Sequence, residues 1–151
     1  MGDIRIVPVD NPGDLAQCLA IREVVFIEEQ SVPEGMERDE EDGRAFHVLA
    51  YEGKHAIGTG RLVGLAQPPE GASGQWGKVG RMAILASHRK SGIGSKLLAA
   101  LEAEARRRHY SGIVLHAQVH AHKFYVKHGY ADLGPEFEEA GMPHLQMRKT
   151  L

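Results

Sequence analysis

The sequence predicts an α/β fold built on a mixed sheet, in a single domain spanning residues 1–151. Three observations carry this expectation. Stretches with strand and helix character alternate along much of the chain and then give way to short strands that close in hairpins. The stretch at 78–84 has the character of a buried strand and runs through a glycine-containing loop into a strongly periodic helix. A chain of 151 residues buries most of its unfolded surface in one core.

Ile4, Ile6 and Pro8 alternate as a first strand. Asn11 can cap a helix that has Pro12 at its first position, and Leu15, Cys18, Leu19, Val25 and Phe26 carry helical spacing to about Gln30. Residues 33–43 are acidic, with Glu34, Glu37, Asp39, Glu40, Glu41 and Asp42 set against Arg38; they read as a solvated charged loop, or as a surface that steers in an amine or other cation. Phe46 to Tyr51, the turn Glu52-Gly53-Lys54, and His55 to Val63 form a strand hairpin, and the proline- and glycine-rich residues 67–77 form a loop. Ile93, Leu97, Leu98, Leu101 and Ala105 make one apolar helix face. Arg106, Arg107, Arg108 and His109 then complement the negative end of the helix dipole. Ile113 to Ala117 is a buried strand, His120 to His128 a short helical turn closed by Gly129, and 131–133 and 145–148 the last strands, with an acidic loop between them.

Composition removes several classes. A formal net charge of -2 does not suit a nucleic-acid binder, whose phosphate contacts demand a basic surface. The single cysteine, Cys18, excludes an internal disulfide and a multi-cysteine zinc site, and points to a reducing cytoplasm. No membrane span is expected, since no run approaches the roughly 18 apolar residues required. The start Met-Gly-Asp-Ile-Arg has neither the apolar run of a signal peptide nor the hydroxyl residue of a myristoylation signal. Gly77-Lys78 is not a Walker motif, which disfavours nucleotide hydrolysis.

The most informative stretch is Arg89-Lys90-Ser91-Gly92-Ile93-Gly94, leading into the long helix. A helix N-terminus offers unpaired backbone N–H groups and a positive dipole end, and glycines let a ligand approach the backbone closely. Arg89 and Lys90 add charge suited to a phosphate. The plainer reading is a strand-to-helix turn that uses glycines to reverse the chain.

This hexapeptide, together with Gln118, Ala121 and Phe124-Tyr125-Val126-Lys127-His128-Gly129-Tyr130, resembles the two separated motifs of the GNAT superfamily of N-acetyltransferases, in the family's order. Gln118 stands where that family more often has Asn. Residues 22–30 with Val32-Pro33, and Pro143-His144-Leu145-Gln146-Met147-Arg148-Lys149, resemble the ElaA-like branch. The resemblance implies a sheet whose central parallel strands splay to admit the pantetheine arm of acetyl-CoA, with helices flanking it. It implies that Arg89, Lys90, Ser91, Gly92, Ile93, Gly94 and Ser95 hold the pyrophosphate and that Gln118 and Phe124 line the cofactor arm. A backbone N–H within Met82, Ala83 and Ile84 would stabilise the oxyanion, and Tyr125 would protonate the leaving thiolate. The first helices, including Glu28 and Glu29, would contribute to the acceptor pocket. Homodimers are frequent in the family.

Moving an acetyl group from a thioester to a primary amine of a small molecule or peptide needs a free amine. A lysine-like amine of pKa about 10.4 is short of that state at pH 7 by about 4.6 kcal/mol. Tyrosine, with pKa about 10, can protonate a thiolate of pKa about 8.5 for roughly 2 kcal/mol. For the base, the candidates are His120, Glu28 and Glu29, with His47 and His144 behind them. Cys18 as a nucleophile is set against its helical spacing with Leu15 and Leu19, which places it in the core, so direct attack in a ternary complex is the expected route. Two other classes remain open: a domain that binds acyl-CoA as a sensor or partner module without turnover, and a metal-binding protein using His116, His120, His122 and His128.

Overall fold

The computed structural model describes residues 3–151, so Met1 and Gly2, on which the expectations about a leader and a myristoylation signal bear, lie outside the described residues. Strand β1 (Ile4–Pro8) leads to helix α1 (Pro12–Arg22), whose cap is as the sequence predicts: the Asn11 side chain accepts from the Asp14 N–H at 2.8 Å, with Pro12 at the first turn. The helix continues to Glu29, but in π-helical geometry from Glu23. Strands β2 (Phe46–Glu52), β3 (His55–Gly64) and β4 (Trp76–Ile84) follow as an antiparallel meander. Helix α3 (Ile93–Arg107), which comes after the short helical turn α2 (Glu34–Glu37) in chain order, crosses over to β5 (Gly112–Gln118). Helix α4 (His122–Lys127) and strands β6 (Ala131–Asp132), β7 (Phe137–Glu139) and β8 (Met142–Thr150) complete the chain.

The sheet runs β1-β2-β3-β4-β5-β8-β6, with β7 paired to β8. Side-chain alternation sorts its two faces. Val48 and Ala50 of β2 join Ile113, Leu115 and Ala117 of β5 beneath Leu97, Leu98 and Leu101 of α3. Leu49 and Ala83 point the other way, onto Cys18, Ile21 and Val25. Cys18 is therefore a fully buried core residue, as its spacing predicts.

Strands β4 and β5 are parallel and pair only from Trp76–Gly112 to Val79–Leu115, although they run on to Ile84 and Gln118. The sheet parts beyond that point. At the same place β4 bulges: two steps along β3, from Thr59 to Arg61, face three along β4, from Ala83 to Gly80, and Arg81 takes up the extra residue with φ +52°.

Two expectations are corrected. The acidic 33–43 segment is not a solvated loop. It folds as α2 and a 3₁₀ turn (Glu40–Gly43) whose carboxylates sit on buried arginines: Glu37 and Asp42 on Arg22, and Asp39 and Asp42 on Arg61. The second acidic stretch holds a strand, β7, joined to β8 by a tight turn in which Ala140 and Gly141 both have positive φ (52° and 78°), the geometry that suits the twist of a hairpin.

Candidate active site

The parted strands open into a cavity of about 840 Å³, within the size range of small-molecule and cofactor sites. One end lies at the glycine loop, the middle runs between β4 and β5, and the far end is polar.

At the loop end, Lys90 (φ +63°) and Gly92 (φ +84°) both take the left-handed conformation, and Gly92 is the N-cap of α3 with no side chain capping it. The first intrahelical bond closing on the loop is Lys96 N–H to Gly92 O, which leaves the N–H groups of Ile93, Gly94 and Ser95 without helical partners at the positive end of a 15-residue helix. A Cβ on Gly94 would stand 3.3 Å from the Phe124 ring and 3.4 Å from Ile84, so this wall of the cavity is shaped around a bare backbone. These features fit a diphosphate. Arg89 lines the cavity but is already engaged: its Nε donates to Ile84 O at 2.9 Å and its Nη2 pairs with Glu29 at 2.8 Å, tying the loop to the end of β4 and to the first helix. Lys90 is exposed, the Ser91 hydroxyl bonds His88 O, and Ser95 Oγ meets His128 Nε2 at 2.9 Å.

In the middle, Met82, Ala83 and Ile84 line one wall, and Ala117, Phe124 and Tyr125 the other. Tyr125 is 9% exposed, packs edge-on against Phe124 and Tyr130, and has no hydrogen-bond partner for its hydroxyl among the described residues. Burial pushes its pKa up to about 12. Against a thiolate of ordinary pKa about 8.5, a proton transfer from it then costs about 4.8 kcal/mol rather than 2, unless the same dry surroundings raise the thiol as well. Gln118 lines the cavity with its amide paired to Gln30, Nε2 to Oε1 at 3.0 Å in one direction and 3.4 Å in the other; it bridges β5 to the first helix.

The polar end was largely missed by sequence reasoning. Lys78, His116, Glu139 and His144 converge there: His116 Nδ1 lies 2.9 Å from Glu139 Oε1, Lys78 Nζ 3.4 Å from the same ring nitrogen, and His144 Nε2 3.7 Å from Glu139 Oε2. Burial pushes both His116 and Lys78 below their ordinary pKa values. Glu139 falls below the usual carboxylate range: burial alone would raise it, but the His116 bond and the neighbouring positive groups outweigh that. The available signal was alternation. With Ile113, Leu115 and Ala117 in the core, His116 and Gln118 are polar residues on the opposite face at the carboxyl end of a central strand, where ligands of open α/β sheets sit. On the flank, Arg81 donates from Nε to Glu37 O at 3.0 Å and from Nη2 to Asp39 at 3.1 Å.

His120 lines the cavity on an exposed 3₁₀ turn without an orienting partner among the described residues, and Glu28 and Glu29 lie off the cavity wall. His47 is buried against Asp42 O at 3.0 Å, away from the cavity. The four histidines considered for a metal are dispersed, with His122 on Asp132 and His128 on Ser95, and among the described residues no group of three or more His, Cys, Asp and Glu is placed to hold a metal ion. No described helix is long and apolar enough to cross a membrane.

The fold and the parted-strand site define an acyltransferase of the GNAT type, and the chain belongs to that family: the acetyltransferase (GNAT) domain model matches residues 16–151. It is 39% identical over 147 residues to YjcF of Bacillus subtilis, named an uncharacterized N-acetyltransferase, covering 97% of this chain and 99% of that one. Protein ElaA of Escherichia coli is 25% identical over 135 residues, 88% of this chain and 85% of ElaA, and the ElaA crystal structure superposes with a TM-score of 0.81. The crystal structure of an acyl-CoA N-acyltransferase from Pseudomonas aeruginosa matches with a TM-score of 0.81 at 25% identity, covering 98% of this chain and all of that one. Acyl transfer from an acyl-CoA to an amine is the chemistry of the family.

Proposed function

We propose that this chain is an acetyl-CoA-dependent N-acetyltransferase of the cytoplasm that acts on a primary amine of a small molecule or peptide by direct attack in a ternary complex. The observation that carries the reading is the continuity of the cavity. It begins at the N-terminus of α3, where Arg89 and Gly94 line it, passes between strands that have stopped pairing, and ends among polar side chains.

When bound, acetyl-CoA supplies an activated acyl carbon and a thiol leaving group. The residues from Arg89 to Ser95 hold its diphosphate through backbone N–H groups and the helix dipole. Phe124 and Gln118 border its arm, and the backbone at Met82 to Ile84, next to the β4 bulge, offers a preorganised donor to the charge that develops on the acyl oxygen. Tyr125 protonates the departing sulfur from a site dry enough to keep its hydroxyl neutral at every physiological pH. Cys18 takes no part, being sealed in the core with burial holding its thiol protonated.

Release of free thiol from acetyl-CoA, measured with lysine, spermidine and a tripeptide bearing a free N-terminus, tests the reading. Turnover with any of these primary amines is expected. Acyl-CoA binding without turnover on any amine would favour the sensor reading instead.

A further inference from the structure

The geometry points to His116 as the general base of the reaction, with Glu139 as the residue that positions it. The inference rests on the transferase reading above and assigns a role within the same cavity.

Three observations carry it. His116 and Glu139 meet at 2.9 Å through Nδ1. Lys78 Nζ also approaches this nitrogen, but at 3.4 Å; the shorter carboxylate contact places the hydrogen on Nδ1, so Nε2 carries the lone pair, the tautomer in which a carboxylate orients an imidazole for proton abstraction. Next, Nε2 is free. Among the described residues Glu37 Oε2 is the sealed side-chain oxygen or nitrogen left without a partner, so His116 Nε2, equally unpaired, is accessible, and His116 lines the cavity. Finally, the ring is fixed by packing: Phe137 meets it edge-on with centroids 5.1 Å apart, and β5 and β8 pair in register beside it, His116 opposite Gln146. His120, by contrast, has neither an orienting partner nor cover.

The charged and titratable groups that face His116 are Lys78 from β4, Glu139 from β7 and His144 from β8. Burial and the Lys78 and His144 charges disfavour the imidazolium, while Glu139 favours it, and the balance leaves the ring neutral near pH 7. His116 Nε2 takes one proton from the acceptor ammonium and passes it to solvent. The freed nitrogen lone pair forms the C–N bond as the C–S bond breaks, the bond pair leaving with sulfur. Tyr125 gives its proton to that sulfur, and the proton the nitrogen sheds on becoming an amide restores the phenol. One amide, one thiol and one solvent proton result.

The test measures kcat for thiol release from acetyl-CoA across pH 6–10 with the best of the three amines named above. His116→Gln is expected to lose about 100-fold in kcat at pH 7, the range of general base catalysis, and to regain most of it toward pH 10, where the amine sheds its own proton. Its acetyl-CoA affinity and melting temperature should stay at wild-type values. Unchanged kcat at pH 7, or a loss of the same size at every pH, would overturn the assignment, the latter marking a structural role. Glu139→Gln, a change on a partly exposed hairpin, carries the test if His116→Gln does not fold. It is expected to lower kcat about 10-fold and to lower the His116 titration midpoint in the ligand-free protein, read by NMR; an unmoved midpoint would overturn the positioning role. Wild-type turnover in the same assay reports separately on the transferase reading.

Discussion

Arg22 Nε meets Glu37 Oε1 at 2.5 Å with the two side chains 1% and 2% exposed, the most deeply buried ion pair among the described residues. Arg22 also donates to Glu37 O at 3.0 Å and grips both oxygens of Asp42, at 2.7 and 3.1 Å. Through Arg81, which holds the same Glu37 carbonyl, the cluster reaches the bulge of β4. One guanidinium thus fastens the acidic segment to the first helix and, indirectly, to the cavity wall. Arg22→Met should strand the Glu37 carboxylate in a dry site, leave Asp42 with Arg61 alone, and cost about 3–5 kcal/mol. A fall in melting temperature of about 10 °C is the expected reading, and a fall under about 2 °C would contradict it.

Acid should undo the same cluster. Asp42 is held well below the usual carboxylate range: burial pulls the other way, but the Arg22 bond and charge, with help from Arg61, prevail. Asp39 is lowered chiefly by its bond to Arg61, and Glu104 is brought down to about 2, chiefly by its bond to Arg107. A carboxylate with a depressed folded-state pKa contributes stability that is present above the unfolded value, about 4, and lost as pH falls through the folded value. The urea midpoint should therefore be flat with respect to these groups above pH 5 and fall steadily from about pH 4 to 2. Arg61→Gln should flatten part of that fall; an unchanged slope would show that the Arg61 pairs with Asp39 and Asp42 do not set it.

Gly92 has φ +84° with open space where a Cβ would stand, so conformation, not crowding, is what it contributes. A β-branched residue there faces a left-handed penalty of about 1–2 kcal/mol, whereas asparagine tolerates the region. Gly92→Val should weaken acetyl-CoA binding about 10-fold or more and Gly92→Asn much less, measured by calorimetry. Equal affinities would remove the loop conformation from the binding account.

Tyr125→Phe should lower kcat by about 100-fold while leaving acetyl-CoA affinity near wild type, since the hydroxyl it removes has no bond among the described residues. Wild-type kcat in this variant would take the acid role away from Tyr125.

Local signals in the sequence carry much of the fold. Asn11-Pro12 states a helix start that the Asp14 N–H honours, and the leucines of α3 state a face that packs on β2 and β5. The loop from Arg89 to Gly94 is legible because its chemistry lies in consecutive residues. The acidic segment is not, since its meaning depends on arginines 15 to 44 residues away that composition cannot pair with it. β7 hides for a related reason: Phe137-Glu138-Glu139 is too short and too charged to read as a strand until β8 lies beside it. The polar end of the cavity combines both difficulties. Lys78, His116 and Glu139 come from three strands, and only the parting of β4 from β5 gives them a common space.

Calorimetric titration of the protein with acetyl-CoA tests the central claim most directly. A single site per chain is expected, together with a rise in melting temperature consistent with about 2.7 kcal/mol of stabilisation at a hundredfold excess over the dissociation constant. Neither heat nor a melting shift at saturating acetyl-CoA would contradict the assignment of the parted strands and the Gly92 loop to an acyl-CoA.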